Sequence, residues 1–418
     1  MIVSVRNKSD VKFKLNGGIM KFNKYILMLI ISLFFLACSE EKHDSIFDTN
    51  TANESNLTDL ESFNSEAEGS LAKGIIGKPV RVMTRNIYIG TDVDVVLKTS
   101  TPDSIPILAA QAFQVLQSTN FPERAVSLAK EIAFTRPHLV GLQEVSKIRL
   151  QDPGDLLDGG TTPAEYVLMD YLEIFMATLG AMGLDYQVAA KIENVDVELP
   201  MVIPDGSVPV GYHFADVRVT DYDVILARHD VMVSNETEQN YQVNLKIDDL
   251  GIELKRGYVA VDAKIGKQTY RFVNTHLEPF YLPVRQAQLQ ELLTSLSGEN
   301  LPVIMVGDFN TQAPNGETYI SVTGNGFTDT WTENILPFNP EGLTYGHDPN
   351  LRNAFPDFWE RIDFIFTRDG ADGSVFKNKS LAIVVGDEQF NRTETGLWPS
   401  DHAGVVAQLK LNPGRINM

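Results

Sequence analysis

The stretch Val303-Ile304-Met305-Val306-Gly307-Asp308-Phe309-Asn310 constrains the fold more than any other. Four apolar residues in a row, two valines and one isoleucine among them, predict a strand buried on both faces. A strand with no wet face requires a sheet covered on both sides. Gly307 is expected to end the run, and Asp308 and Asn310 follow one residue apart. In extended chain, positions i and i+2 point the same way. A carboxylate and an amide are thus expected together at the end of a buried strand, where a rigid scaffold meets a cleft.

Other segments repeat the pattern. Val80–Asn86 is a predicted strand with alternating character that ends on a polar residue, and His138–Glu144 is an apolar strand ending on a carboxylate. Asp223–Arg228 is a further strand. Tyr258–Lys264 and Thr269–His276 pair as a hairpin across Gly266, and Arg361–Thr367 and Ala403–Leu411 close the series. Helical periodicity covers Pro122–Phe134 and a segment holding Leu168, Tyr171, Leu172, Phe175, Met176 and Leu179 that stops near Gly180 and Gly183. A third helix is expected over Pro283–Ser297. Leu199–Thr220, with three prolines, reads as a long loop or hairpin, and Thr311–Glu360 as irregular chain with clustered aromatics. Strands and helices alternate while several strands pair locally, so a mixed-sheet α/β protein with helices outside is expected rather than a doubly wound parallel sheet.

The N-terminus predicts export. Lys21 and Lys24 precede an apolar run from Tyr25 to Ala37, ending Phe35-Leu36-Ala37-Cys38. This is a charged region, a short apolar region and a small residue before the cut, the pattern of a secretory signal rather than a membrane span. The Leu-Ala-Cys ending resembles the bacterial lipoprotein processing site, which implies that residues 1–37 are a lipoprotein signal peptide and that Cys38 becomes the lipidated N-terminus. Met20 offers a second possible start. Residues 38–78, rich in Ser, Asn, Thr, Glu and Asp, are expected to form a disordered tether, leaving 79–412 as the catalytic domain. Cys38 is the single cysteine, which excludes an intramolecular disulfide and a thiolate metal cluster. Without residues 1–37 the chain carries 29 basic and 54 acidic residues, a net charge of -25. Such a surface gains little non-specific attraction to nucleic acid.

The polar residues at strand boundaries are Asn86, Glu144, His276, Asp308, Asn310, Asp363 and His402, with Asp401 beside the last. Strand ends on one edge of a sheet converge. Each alone is more often a solvated terminus, but eight together describe a cleft. Glu144, Asp308 and Asp401 offer the hard oxygens that Mg²⁺, Mn²⁺ or Ca²⁺ prefer. Two histidines can move protons near neutral pH, and the asparagines can donate to a phosphoryl oxygen. The combination is that of metal-assisted phosphoester hydrolysis. Ser400, Asp401 and His402 are consecutive and cannot form a nucleophile–base–orienter relay.

Thr84-Arg85-Asn86-Ile87-Tyr88, Gly141-Leu142-Gln143-Glu144, Asn274-Thr275-His276-Leu277, Gly307-Asp308-Phe309-Asn310, Arg361-Ile362-Asp363-Phe364 and Ser400-Asp401-His402 resemble, in order, the motifs of the endonuclease/exonuclease/phosphatase superfamily. The likeness spans residues 80–411. It implies a four-layer α/β/β/α sandwich of two packed mixed β-sheets flanked by helices. It implies a metal held by Glu144 with Asn86 and Asp401, and a catalytic His402 held by Asp363. Asp308 and Asn310 would orient water and phosphate, and His276 would contact the phosphate or assist the leaving group. Two histidines are more similar to the deoxyribonuclease and sphingomyelinase branches than to abasic-site nucleases. Arg85 departs from the family's usual aromatic residue, and the chain between Glu144 and His276 is longer than in compact members, with an insertion over about 151–219. The reading is a monomeric, Mg²⁺- or Mn²⁺-dependent phosphodiesterase of the bacterial envelope, with nucleic acid as a substrate at most. The alternatives are a surface-anchored DNA or RNA endonuclease and a catalytically inactive binding module.

Overall fold

The computed structural model describes residues 79–206, 211–248, 251–335, 341–377 and 380–413, together with three short N-terminal strands. Those strands, Ile2–Val5, Val11–Leu15 and Gly18–Lys21, pair antiparallel with one another. The apolar segment expected to be part of a signal peptide, Cys38 and the expected tether up to residue 78 lie outside the described residues. No described helix is long and apolar enough to cross a membrane.

Two large mixed sheets form the centre. The first contains β1 (Val80–Asn86), β2 (Leu139–Gln143), β3 (Lys147–Gln151), β4 (Tyr166–Asp170), β5 (Tyr186–Pro204) and β6 (Tyr212–Arg228), and is completed by β13 (Leu381–Val385) and β14 (Gly404–Leu409). Its order is β13-β14-β1-β2-β6-β3-β4, with β5 paired along β6. The second contains β7 (Met232–Asn240), β8 (Gly257–Ile265), β9 (Gln268–His276), β10 (Val303–Asp308), β11 (Thr328–Asp329) and β12 (Asp363–Arg368), in the order β7-β8-β9-β10-β12-β11. Each sheet has one parallel pair at its heart, β1 beside β2 and β9 beside β10, with antiparallel strands around it.

Val82, Leu139, Ile225, Val261, Phe272, Ile304, Val306 and Ala407 pack between the sheets. On the outer face of the first sheet lie α1 (Ile105–Ser118), α2 (Phe121–Thr135) and α3 (Tyr171–Ala181), whose Leu116, Leu128, Ile132 and Phe175 bury against Met83, Val140 and Leu226. Across the second sheet, α4 (Leu282–Ser295) and α5 (Glu317–Gly324) set Leu289, Leu292 and Val322 against Val273, Met305 and Phe366. The architecture is the expected α/β/β/α sandwich. Every residue of β10 is buried, because it is central in its sheet and covered on both faces.

Several local expectations need correction. Gly307 does not end β10; the strand continues to Asp308, pairing Gly307 with Thr275 and Asp308 with His276. Glycine stands there because a Cβ would clash with the Thr275 carbonyl oxygen. Leu168 belongs to β4, not to the following helix, which begins at Tyr171 after Asp170 caps it by accepting the Glu173 N–H. Helix α1 went unread; it buries Pro106, Ala109 and Leu116. The irregular span 311–360 contains one helix, α5. Leu199–Thr220 is a hairpin, with β5 and β6 paired from Tyr186↔Arg228 to Pro204↔Tyr212.

Arg85 is almost wholly buried, with its Nε 2.9 Å and Nη2 3.0 Å from the two carboxylate oxygens of Glu131 on α2. Its Nη1 donates to the carbonyl oxygens of His402 and Asn86. This guanidinium therefore fixes backbone on both sides of the site. Removing one partner of a buried pair leaves an uncompensated charge, at a cost of about 3–5 kcal/mol. Glu131→Ala should lower the urea midpoint of unfolding by a corresponding amount; a change under about 0.5 kcal/mol would show that the pair does not anchor this edge.

Candidate active site

The two parallel pairs end at the same edge of the sandwich, β1 and β2 at Asn86 and Gln143, β9 and β10 at His276 and Asp308. Strands antiparallel to them begin there: β12 opens with Asp363 opposite Asp308, and His402 leads into β14, which pairs with β1. The sheets approach closely at this end. A Cβ on Gly141 would lie 2.5 Å from Val306 Cγ2 and 2.6 Å from Asn274 Oδ1. Asn274 bridges the gap, accepting from Gln143 Nε2 at 2.6 Å and donating to the carbonyls of Leu142 and Val224. A buried polar link of this kind, fully satisfied, makes the edge rigid.

Asn86, Glu144, His276, Asp308, Asp363, Asp401 and His402 come together on this edge. Asn86 Nδ2 lies 3.0 Å from Glu144 Oε1, 3.2 Å from Asp308 Oδ2 and 3.4 Å from His402 Nε2. Its Oδ1 accepts the Tyr88 N–H at 3.0 Å, so Asn86 shows the carboxylates its N–H face. Glu144, at φ 58°, is half-buried and accepts from Ile89 N at 2.8 Å through its second oxygen. Asp401 lies beside it. Burial, and then the nearby Glu144 charge, push the Asp401 carboxyl up to about 7 although His402 acts in the other direction. Two adjacent carboxyl groups present the hard oxygens a divalent cation prefers. The donor set fits such an ion.

His402 Nδ1 lies 2.9 Å from Asp363 Oδ2 and its Nε2 3.7 Å from Asp308 Oδ2. Burial lowers the proton affinity of this ring, but Asp363, Asp401 and Asp308 together overcome that and raise its pKa to about 10. His402 is an imidazolium at neutral pH. His276 is its opposite: burial, the Arg256 charge and His402 hold its pKa well below the usual value. Arg256 Nη1 donates to His276 Nδ1 at 2.9 Å, so Nε2 carries the proton, 3.5 Å from Asp308 Oδ2. Asp308 accepts from Asn310 N at 2.9 Å, and burial followed by the Asp363 charge raises its pKa to about 7. Asn310 departs from the extended geometry expected of it. At φ 48° it turns back, and its Nδ2 donates to the Leu277 carbonyl at 2.9 Å.

Four residues of the site were not read from the sequence. Asp221 and Asp223 are buried with His276, in a group whose ligand atoms all lie within 4.8 Å of one another. Among the described residues, neither Asp223 oxygen has a hydrogen-bond partner. These carboxylates lie inside β6, just before the apolar stretch Val224–Ala227 that pairs with β2, and their i, i+2 spacing was the available signal. Arg256 sits just before β8, and Tyr345 packs its ring 4.8 Å from that of His402. Tyr345 adjoins no apolar run that would mark it, and Arg256 stands just before the start of its strand, away from the polar strand ends that were read.

Residues 114–402 match the family model of the Endonuclease/Exonuclease/phosphatase family. The chain belongs to this family. Its members are divalent-metal-dependent phosphoester hydrolases, and this chain is an enzyme of that kind. No curated protein matches the sequence. Among solved structures, a family protein from Leptotrichia buccalis aligns with TM-score 0.46 at 16% identity, over 79% of this chain and 99% of that one. A mannosyl-6-phosphatase from Bacteroides thetaiotaomicron gives 0.44 at 15%, over 79% and 99%. D. rerio TDP2 complexed with a single-strand DNA product gives 0.44 at 16%, also over 79% and 99%.

Proposed function

We propose that this family member is a Mg²⁺- or Mn²⁺-dependent phosphodiesterase of the bacterial envelope, anchored through a lipid on Cys38 and acting on a phospholipid head group or a nucleotide diester. The observation that carries the catalytic part is the His402–Asp363 contact of 2.9 Å, set beside Asp308 and Asn86. Glu144 and Asp401 would hold the cation, which supplies Lewis-acid stabilisation of charge on the phosphoryl oxygens. Asp308, buried and aimed by the Asn310 N–H, orients the attacking water and takes its proton as the new phosphorus–oxygen bond forms. Imidazolium His402 gives its Nε2 proton to the departing oxygen as the phosphorus–oxygen bond breaks. Neutral His276 offers its Nε2–H to the phosphate. Asp363 keeps His402 turned into the site. The leader, the tether and the anchored location rest on residues 1–78, and the catalytic domain on 79–412.

Preference for a small or lipid diester over duplex DNA rests on charge. A net charge of -25 in the exported chain opposes a polyanion whose binding depends on neutralised phosphates. A panel at fixed Mg²⁺ and salt, offering plasmid DNA, RNA, sphingomyelin, phosphatidylcholine, inositol phosphates and nucleotide diesters, tests it. We expect a lipid or small diester to be turned over fastest. Plasmid nicking well above those rates, lost in His402→Ala, would make the protein a surface nuclease instead.

A further inference from the structure

Beside the catalytic edge lies a cavity of about 180 Å³ that the reaction does not use. Its lining is apolar apart from Thr91 and three charged residues, Glu144, Asp221 and Arg256. Those three belong to the site: Glu144 bonds Asn86, Arg256 bonds His276, and Asp221 lies 3.6 Å from Arg256. The apolar walls come from parts of the chain that the catalytic motifs do not include. Ala112 and Phe113 stand on α1, which packs along β5; Val197 and Val219 face in from the β5–β6 hairpin, and Phe280 follows β9.

We propose that this cavity is the subsite for one apolar substituent of the phosphodiester, a benzyl-sized ring or a short alkyl segment. The proposal rests on the phosphodiesterase reading above. Three observations carry it. Size is the first: an apolar cavity of about 150 Å³ takes up benzene, so about 180 Å³ is room enough for one ring. Continuity is the second, since the cavity shares Glu144 and Arg256 with the catalytic groups, and a substituent there leaves its phosphate at the metal-binding edge. The third is an unmet donor. Arg256 Nε is buried and has no hydrogen-bond partner among the described residues, while Nη1 is engaged with His276. A phosphate oxygen positioned between cavity and site would satisfy it. The substrate is therefore a diester with one apolar alcohol of limited length, and α1 with the β5–β6 hairpin selects it.

The test compares dimethyl, methyl butyl, methyl benzyl and methyl hexadecyl phosphate, with product formation read by phosphorus NMR. Burial of apolar surface is worth roughly fourfold per methylene, so kcat/KM should rise tenfold or more from dimethyl to methyl benzyl phosphate and gain nothing further at hexadecyl. Ala112→Phe, and independently Val197→Phe on the opposite wall, should each collapse the benzyl-to-methyl ratio toward one. A flat series, or a preference that survives both cavity-filling variants, would overturn the subsite. A rise that continues to hexadecyl would also overturn it, pointing to a surface that simply collects lipids. If no diester is turned over, the phosphodiesterase reading has failed separately. The subsite is then judged by thermal shift: benzylphosphonate should stabilise the protein and methylphosphonate should not, and equal shifts would sink it.

Discussion

His402→Ala should reduce kcat/KM for bis(p-nitrophenyl) phosphate by about 10²–10⁴-fold, the range a positioned general acid contributes. The geometry gives the reason. Nδ1 is committed to Asp363 at 2.9 Å, and the other nitrogen faces Asn86 and Asp308. Three carboxylates raise the ring's pKa to about 10, so at neutral pH the proton is already present to be given. Asp363→Asn should cost less, because the ring keeps its place against Tyr345 while losing its strongest charge partner. The double variant should be little worse than His402→Ala alone, since residues that act as a unit are not additive. Losses that multiply would mean that Asp363 serves the fold rather than the histidine.

Much of this arrangement was legible beforehand, and the reason is physical. Four-residue apolar runs such as Val303–Val306 leave strands no choice but burial, and buried strands bring their polar ends to one edge. That logic located Asn86, Glu144, His276, Asp308, Asp363, Asp401 and His402, all of which the fold gathers at one end. It missed what patterning does not encode. Asp221 and Asp223 lie in the middle of a long strand, just before its apolar stretch, and Arg256 sits in a short link. The extended geometry assumed for Asn310 failed because the chain turns left-handed there to bond Leu277. The close packing of Gly307 on Thr275 is invisible in one dimension, so its glycine was misread as a break.

Glu144→Ala carries the second large effect. Glu144 is held from both sides, Oε1 by Asn86 Nδ2 and Oε2 by Ile89 N, at a left-handed position that aims it toward Asp401. Its loss takes one hard oxygen ligand from a set that has few, and the Asp401 carboxyl, which ionises more readily without the neighbouring charge, does not replace it. The metal concentration giving half-maximal rate should rise by 10-fold or more, in line with the loss of a metal-supporting group. Asn86→Ala should shift it in the same direction by less, through the carboxylate it orients. An unchanged metal requirement in Glu144→Ala would place the cation elsewhere, and the group formed by Asp221, Asp223 and His276 would be the next to test.

The most direct measurement is metal depletion followed by return. Hydrolysis of bis(p-nitrophenyl) phosphate is followed at neutral pH after chelation, then with Mg²⁺ or Mn²⁺ added back, in the native sequence and in Glu144→Ala. The account predicts that chelation abolishes turnover, that either ion restores it in the native protein, and that the variant recovers only at much higher metal. Turnover that persists at full rate in the metal-free protein would contradict it.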